Sequence, residues 1–454
     1  MKKLFFAVIN WLARLYLNIH KPYIIGITGS VWKTSCRMVI AQTLTTLLPG
    51  LRIATSQKNF NSIDAWFALA IFDVNEFTPS LVGSCKALAH VLGRFFQRKR
   101  YDILVLEYGI DQPGDMTGLI AIARPDIAIF TALDKVHAMN FANKDDILFE
   151  KTRLLVAARD VVFYPSDGEY ILPFLAHIDV EKLSYSMQED VSHEADIGYK
   201  DYLLTYINDS VQADFWLMQG REKIGTACIP VLGKEQAAYT SIAVAIQLIL
   251  ARRFQQAWVT NISNEEDVWT LLLPLSLQEG RATVLHWIHN SMIIDSSYNA
   301  APESMKIMID TSILLRDQVF PASELILCLG DMRELWIYTE SEHRALAQYV
   351  AHRTDRLYLV GECMQRYLLD ELKLLWFSSH RVSWFANSHL LWNALREHLM
   401  QSPTPAVVLC KWSQNTIFLE ESVKAILHDP RDASRLCRQS TRRMQRKEAY
   451  FTTQ

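Results

Sequence analysis

The chain has 454 residues, of which 50% are hydrophobic and 21% charged, and its formal net charge is -3. This length allows two or three domains with their own cores, and the composition excludes a disordered chain. The small net charge argues against nucleic acid as the main partner. Seven cysteines without C-x-x-C spacing predict reduced thiols in a cytoplasmic protein, and neither a disulfide framework nor a zinc site.

Residues 1–20 have the pattern of an amphipathic helix. Phe5, Ile9, Leu12 and Tyr16 recur at helical spacing and form one apolar stripe. The segment is too short and too often interrupted by polar residues to span a bilayer, which needs about 20 apolar residues. Two roles remain open for the stripe: packing on the body of the protein, or peripheral contact with the inner membrane surface.

Short apolar runs alternate with helix-length segments through the first part of the chain. The runs are 23–27, 102–107 and 126–131, and two of the helical segments are 36–48 and 145–159. Such a βαβ pattern predicts a wound, mostly parallel sheet. Between residues 180 and 229 the residues alternate in a way typical of antiparallel strands, and a helix is predicted at 237–252.

The alternation restarts near residue 271 and predicts a second α/β unit. Its expected strands are 292–295, 324–330, 356–361 and 406–410. The predicted domains are therefore a helix at 1–20, a central domain at 21–275 and a C-terminal domain at 276–454. The tail after Asp429 carries seven Arg or Lys residues against two acids, which favours a solvated end.

The strongest motif is Gly26-Ile27-Thr28-Gly29-Ser30-Val31-Trp32-Lys33-Thr34-Ser35, which follows a predicted strand and precedes a predicted helix. The backbone N–H groups of such a loop hold phosphate oxygens. Lys33 supplies a cation for the outer phosphates of ATP, and the Thr34 hydroxyl can bind Mg²⁺. The fold class expected is a P-loop-type ATPase domain followed by a Rossmann-like α/β domain. The loop residues predicted to bind the nucleotide are Gly26, Thr28, Gly29, Ser30, Lys33, Thr34 and Ser35.

Trp32 does not fit this motif. The residue before the lysine is normally glycine, because the backbone must approach the phosphate without a Cβ. We expect the indole either to block the pocket or to force the loop open. The alternative to a nucleotide-binding loop is that the loop is a structural relic.

Three more residues follow the predicted strands. Glu107 ends the second run, where a carboxylate opposite a phosphate loop is well placed to bind Mg²⁺. His137 and Lys151 come after the third run. Taken alone, a histidine is more often a hydrogen-bonded structural residue and a lysine is more often solvated.

Together these segments resemble the Mur ligases, and most closely the branch that joins D-alanyl-D-alanine to UDP-N-acetylmuramoyl-tripeptide. The resemblance runs in order from about residue 21 to 430. The matching segments are 26–35, 55–61, 106–116, 125–128, 233–234, 280–281, 294–305, 329–335, His343 and 411–415.

The resemblance implies roles for individual residues. Lys33, Glu107, His137 and Lys151 would form the catalytic group. Thr34, Glu107, His137 and a carbamylated Lys151 would hold one or two Mg²⁺ ions. The nucleotide would also contact Gln236, Arg281, Asp295, Tyr298 and Asn299.

The implied reaction begins with transfer of a phosphoryl group from ATP to a substrate carboxylate. The incoming amine then displaces phosphate from the acyl phosphate and forms an amide. The implied substrates are a UDP-muramoyl-peptide and D-alanyl-D-alanine, with no nucleic acid involved.

The sequence also departs from the family pattern near the expected ATP site. Tryptophan replaces glycine at Trp32, Trp336 and Trp412, and the family's usual polar residues are replaced by Glu235, Tyr239 and Ala132. The phosphate loop begins at residue 26, which leaves no room before it for the family's usual domain that grips the UDP-sugar. Three interpretations remain open: an active peptidoglycan-precursor ligase, a catalytically impaired binding or scaffold relative, and a ligase for another carboxylate and amine.

Overall fold

The computed structural model describes residues 2–56, 61–62, 66–74, 77, 80–97, 100–134, 141, 144–189, 195–254, 269–287, 291–413, 418, 420–439, 443–445 and 447. The helices in these ranges are α1 Lys2–His20, α2 Lys33–Leu47, α3 Trp66–Ile71, α4 Leu81–Phe96, α5 Asp115–Ile122, α6 Lys144–Ala157, α7 Leu172–Leu175, α8 Lys234–Phe254, α9 Pro302–Val319, α10 Thr339–Val350, α11 Asp370–Leu374, α12 Ser388–Gln401 and α13 Glu420–Ala425.

The strands alternate with these helices, as the sequence predicts. They are β1 Tyr23–Thr28, β2 Ile53–Thr55, β3 Ile103–Glu107, β4 Ile127–Phe130, β5 Val161–Pro165, β6 Glu181–Tyr185, β7 Ile197–Ile207, β8 Ser210–Gln219, β9 Glu222–Ile229, β10 Thr270–Leu272, β11 Thr283–His286, β12 Met292–Ser296, β13 Glu324–Gly330, β14 Arg356–Val360, β15 Val382–Phe385 and β16 Ala406–Lys411.

The first sheet has the strand order β10-β9-β8-β7-β6-β5-β4-β1-β3-β2. Its β2-to-β6 half is parallel, while β8 pairs antiparallel with both β7 and β9, which confirms the predicted antiparallel segment. The strands β1 and β4 are neighbours, and the connection from β1 to β2 runs to one side of this pair while the connection from β4 to β5 runs to the other. Ligands of open α/β sheets bind at such a point, beyond the carboxyl ends of the strands.

The second sheet has the order β11-β12-β16-β13-β14-β15 and is parallel except for the β11–β12 pair. The fold class is therefore the predicted mixed α/β with mostly parallel sheets. The four predicted strands of this unit are present as β12, β13, β14 and β16. The edge strands β11 and β15 were missed by the sequence analysis because each has only four, mostly half-buried residues.

The described part of the basic tail is only partly solvated: the Arg431 side chain is 91% exposed, but Lys447 is buried, contrary to the sequence-based expectation. The Lys447 ammonium is buried and lies 3.1 Å from Glu420 Oε1 and 2.6 Å from Glu421 Oε1. Arg438 lies 3.1 Å from the other Glu420 oxygen, Oε2. Buried carboxylates need such counter-charges, so these ion pairs tie the tail to α13.

Among the described residues, α8 is long and apolar enough to cross a membrane. However, 72% of its most apolar stretch is buried inside the protein. It packs beside α2 and β7, so its composition is that of a core helix.

Helix α1 packs on the first sheet's helical layer. Ile9, Leu12 and Tyr16 are buried there, and Phe5 is partly buried against the same cluster. The predicted stripe therefore packs on the body of the protein.

We expect Ile9→Ala to lower the free energy of unfolding by about 2–4 kcal/mol, because removal of a fully buried side chain leaves a cavity.

Urea unfolding would measure this effect, and Val8→Ala is a matched control because Val8 is 37% exposed. The control is expected to change the free energy of unfolding by no more than about 0.5 kcal/mol. Equal small effects for both variants would show that α1 is not part of the folded core.

Candidate active site

The phosphate loop follows β1 and requires glycine at one position. Gly29 has φ 144°, and a Cβ there would lie 2.0 Å from Thr131 Oγ1 and 3.1 Å from the Ala132 amide nitrogen. The Ser30 amide donates to the Ala132 carbonyl at 2.7 Å. The loop is therefore pressed against the segment that follows β4, and only a residue without a side chain fits there.

Trp32 occupies the N-cap position of α2 in the left-handed conformation, with φ 62° and ψ 3°. Its carbonyl still accepts the Cys36 amide at 2.9 Å, so the first turn of the helix forms normally. The indole is partly buried against the core and also borders the cavity described below. The backbone thus keeps a glycine-like conformation and the loop is not forced open.

The Glu107 carboxylate joins the loop to the neighbouring strands. It accepts hydrogen bonds from Thr34 Oγ1 at 2.9 Å and Asn61 Nδ2 at 2.8 Å, and Arg37 Nε lies 3.5 Å away. Burial raises the pKa of Glu107, but the charges of Lys33 and Arg37 and the two hydrogen bonds outweigh burial and hold the pKa below its ordinary value. Glu107 is therefore an anion beside the Thr34 hydroxyl.

Two lysines share one carbonyl of the loop. Lys33 Nζ donates to the Gly29 carbonyl at 2.8 Å, and Lys151 Nζ donates to the same oxygen at 2.9 Å. Burial lowers the pKa of Lys151 well below its ordinary value, and the neighbouring Lys33 charge lowers it further. Burial also lowers the pKa of Lys33, although Glu107 opposes this shift.

Helix α6 places Lys151 with the help of Glu150. The Glu150 Oε1 atom accepts the Gly114 amide at 3.0 Å and the Met116 amide at 2.9 Å. A carboxylate at a helix N-terminus satisfies otherwise unpaired N–H groups. The start of α5 is therefore fixed to α6 next to the catalytic candidates.

Residues next to the second sheet supply the opposite wall. Arg281 lies over the Tyr298 ring, with its Cζ 4.2 Å from the ring centroid. Lys411 Nζ donates to Ser296 Oγ at 3.2 Å and to the Asn299 carbonyl at 3.0 Å. Burial lowers the pKa of Lys411 to about 7, and the positive charge of Arg281 contributes to this shift.

The basic tail holds this wall in place. Arg438 donates to the Ser297 carbonyl at 3.1 Å and to the Tyr298 carbonyl at 2.6 Å. This contact could not be predicted from the sequence, because nothing near Arg438 in the chain signals it.

Between the two walls lies a cavity of about 290 Å³. The predicted site residues that line it are Ser30, Lys33, Thr34, Ser35, Glu107, Lys151, Gln236, Arg281, Tyr298 and Asn299. The structure therefore gathers most of the predicted nucleotide-binding residues around one space, at the junction of the two sheets.

Other predicted residues lie elsewhere. Gly26, Thr28 and Gly29 lie behind the cavity wall, where a Cβ on Gly26 would meet the Tyr108 ring at 2.9 Å. Asp295 is fully buried, its Oδ1 accepts the Ser297 amide at 3.1 Å, and burial raises its pKa to about 7. His137, residues 57–60 and residues 414–415 fall outside the described residues.

The structure also places here several charged or polar residues for which the sequence predicted no role in the site. Asp111, Lys411 and Glu334 line the cavity. Arg37 and Asn61 contact Glu107. Arg37 lies only two residues beyond the loop motif, but its role as a buried counter-charge depends on a strand that is distant in the chain.

A separate cluster of Asp331, His343 and Cys363 has the residue types and spacing to hold a metal. However, His343 Nδ1 contacts the Thr339 carbonyl at 2.6 Å, and its Nε2 accepts the Met332 amide at 3.2 Å. Because both ring nitrogens are already bonded to the backbone, His343 is a structural residue in this cluster.

Comparisons with known proteins agree with this geometry. Residues 27–247 match the Mur ligase middle domain. The UDP-N-acetylmuramoyl-tripeptide–D-alanyl-D-alanine ligase of Bacillus subtilis is 24% identical over 425 residues, which are 93% of this chain and 80% of that protein.

Solved structures show the same fold. The chain superimposes on MurF from Acinetobacter baumannii with a TM-score of 0.67 at 16% identity, covering 93% of this chain and 81% of that one. It superimposes on the MurF ligase from Thermotoga maritima in complex with ADP with a TM-score of 0.63 at 19% identity, covering 93% and 83%.

A phosphate loop facing a cation-lined wall across a two-sheet junction defines a nucleotide-binding α/β protein. The family is indicated by the match to the middle domain and by the motifs that lie in order on both sides of the cavity. By these comparisons the chain contains a match to the Mur ligase middle domain and is similar, over most of its length, to a ligase of that family.

Glu235 lines the cavity, and its Oε2 has no hydrogen-bond partner among the described residues. Burial raises its pKa to about 7. The folded state therefore disfavours the ionised form of Glu235, and the resulting loss of folding stability grows as the pH rises from the pKa of the unfolded chain to 7.

We expect Glu235→Gln to stabilise the protein by about 3 kcal/mol at pH 8, and to have little effect at pH 4.

Urea unfolding at a series of pH values would measure this difference. Glu340→Gln is a suitable control, because the Glu340 side chain is 56% exposed. A stability gain that does not depend on pH would contradict the assignment of a buried, protonated Glu235.

Proposed function

We propose that this chain is an ATP-dependent acid–amino-acid ligase of peptidoglycan-precursor synthesis. The proposed carboxylate substrate is a UDP-muramoyl-peptide, and the proposed amine is D-alanyl-D-alanine. The observation that carries the proposal is the Thr34–Glu107 pair beside Lys33, facing Arg281 and Lys411 across the cavity. The named activity of the Bacillus subtilis relative supports the choice of substrates.

The residues around the cavity fit a magnesium-bound triphosphate. The Ser30 hydroxyl and Arg281 Nε are buried without a hydrogen-bond partner among the described residues, as expected of groups that await a ligand. Thr34 and Glu107 would hold Mg²⁺ through oxygen atoms, which this ion prefers. The bound ion would neutralise charge on the transferring phosphoryl group.

The residues on the two walls have complementary tasks. Lys33 and the loop amides orient the outer phosphates, while Arg281 and Lys411 reach them from the C-terminal domain. The substrate carboxylate attacks the γ-phosphorus, and ADP leaves. The amine then attacks the acyl carbon of the acyl phosphate, and inorganic phosphate leaves with the formation of the amide bond. Closure of the two walls excludes water, which would otherwise hydrolyse the acyl phosphate.

Lys151 is proposed to act as a carbamate. Burial lowers its pKa and so increases the fraction of neutral amine, which is the form that reacts with CO₂. Carbamylation would convert the Lys151 amine, next to Lys33, into an anion that can bind a metal. His137 is proposed as a further ligand of a second Mg²⁺ ion.

The proposed location is the cytoplasm, where the seven cysteines, all free in the structure, remain reduced. Helix α1 is proposed to contact the inner membrane surface through the face that does not pack on the protein.

Turnover tests the main proposal. With Mg²⁺ and ATP, we expect ADP release that requires both a UDP-muramoyl-tripeptide and D-alanyl-D-alanine. Lys33→Ala should lower kcat by about 100-fold or more, because it removes charge stabilisation of the transferring phosphoryl group. Lys373→Ala is the control, since the Lys373 side chain is 67% exposed. A failure to release ADP with every muramoyl-peptide tested would refute this activity, and turnover only with another carboxylate and amine would favour the third interpretation.

Calorimetry with Mg-ATP tests whether Trp32 impairs the site. We expect the unaltered chain to bind, and Trp32→Gly to bind about tenfold more tightly because the loop gains space next to the phosphates. The impaired-relative interpretation gains support if only the variant binds. Tight binding by the unaltered chain would rule it out.

Carbamylation of Lys151 can be observed directly. After addition of ¹³C-bicarbonate, we expect one carbamate resonance in the NMR spectrum of the unaltered protein. This resonance should be lost in Lys151→Gln and retained in Lys373→Gln. A resonance that persists in Lys151→Gln would place the carbamate elsewhere.

A further inference from the structure

Helix α1 carries a second apolar face, opposite the one that packs on the protein. Leu4, Val8 and Trp11 are 71%, 37% and 60% exposed and follow one another at helical spacing. They precede the exposed Arg14 on the same side of the helix. A helix that belongs only to a soluble core would present polar residues to water here.

Helix α4 repeats this arrangement. Val82, Cys85, Ala89, Leu92 and Phe96 are all exposed and recur every three or four residues. Phe96 is 80% exposed and Val82 is 65% exposed. The helix therefore presents a continuous apolar stripe to solvent along its whole length.

The two helices lie side by side and run in the same direction. Near the start of α1, Phe5 stacks on Phe77, which precedes α4, with ring centroids 5.5 Å apart. Near its end, Tyr16 packs edge-on against Phe95 of α4 at 6.0 Å. Contacts at both ends make the pair one structural unit.

The charge of these segments differs from that of the whole chain. Residues 1–22 and 80–100 contain no Asp or Glu, although the chain as a whole is acidic. The two segments carry nine Lys or Arg residues, which are Lys2, Lys3, Arg14, Lys21, Lys86, Arg94, Arg98, Lys99 and Arg100.

A groove at the shared C-terminal end of the two helices continues the basic region. It is lined by Lys21, Arg100 and Arg124, among others. The acids in its wall are already neutralised in part, since Asp102 lies 3.4 Å from Arg52 and Asp126 lies 3.4 Å from Arg159. The groove therefore adds positive charge next to the apolar stripes.

We infer that α1, α4 and this groove form a single docking surface for anionic phospholipid. Exposed Trp, Phe and Leu side chains with flanking Lys and Arg match the chemistry of a membrane interface, where apolar side chains enter the acyl boundary and basic side chains meet phosphate headgroups. A second copy of this basic surface would bring positive charges together, so a lipid surface fits better than self-association. The protein would lie on the membrane without spanning it.

Co-sedimentation of the full chain with vesicles tests this inference, and it requires no ligase turnover. We expect binding to vesicles of phosphatidylcholine mixed with phosphatidylglycerol, and at least about tenfold weaker binding to phosphatidylcholine alone. Added salt should weaken the binding, because the headgroup attraction is screened.

Two pairs of exposed substitutions separate the apolar and basic contributions. Trp11→Ser with Phe96→Ser, and Lys86→Gln with Arg100→Gln, should each weaken vesicle binding by about tenfold. The control is Trp376→Ser, which removes a 93% exposed tryptophan elsewhere and should leave vesicle binding unchanged. All variants should keep their ADP release without vesicles, so a failed ligase assay would leave this test intact.

Three outcomes would overturn the inference: no binding to either vesicle, equal binding to both, or equal binding by the control and the two pairs. Concentration-dependent dimerisation that is lost in Trp11→Ser with Phe96→Ser, with no vesicle binding, would assign the surface to a second copy of the chain instead.

Discussion

The buried carboxylate of Glu107 constrains the whole site. A buried charge is tolerated only if it is paired and hydrogen-bonded, and Glu107 meets this requirement through three residues from two separate segments. Thr34 lies on the helix after the loop, Asn61 lies beyond β2, and Arg37 is fully buried on α2. The position of the loop, the register of β1 against β3 and the tilt of α2 therefore depend on one another.

The cavity above Glu107 brings cationic and acidic side chains together, and Lys33, Lys151, Arg281 and Lys411 are its cationic residues. Lys33, Lys151 and Lys411 all have pKa values lowered by burial, which shows that each ammonium is costly in this place. Such preorganised cations gain most when an anion enters a water-poor site. A polyphosphate supplies this anion, so the same side chains that strain the free protein favour the bound state.

The sequence predicted the parts of the structure that depend on residues close together in the chain. The phosphate loop and Glu107 stand at the ends of apolar runs, and those runs gave both α/β units and their main strands. The edge strands β11 and β15 lack such a run because they are half-buried. Arg438 and Lys447 were expected to be solvated, since their partners Glu420 and Tyr298 are distant in the chain. Contacts that depend on tertiary pairing leave no periodic signal in the sequence.

Trp32 shows how a residue that breaks a motif can still be compatible with the fold. A non-glycine residue in the left-handed conformation costs about 1–2 kcal/mol, whereas partial burial of an aromatic side chain gains about 2 kcal/mol. Since the Trp32 indole packs on the core and its carbonyl begins α2, these two terms nearly cancel within the folded protein. The loop therefore keeps its shape at little net cost. We expect tryptophan in place of glycine at position 32 to affect ligand binding instead. The indole that stabilises the loop also borders the space through which the phosphates must pass.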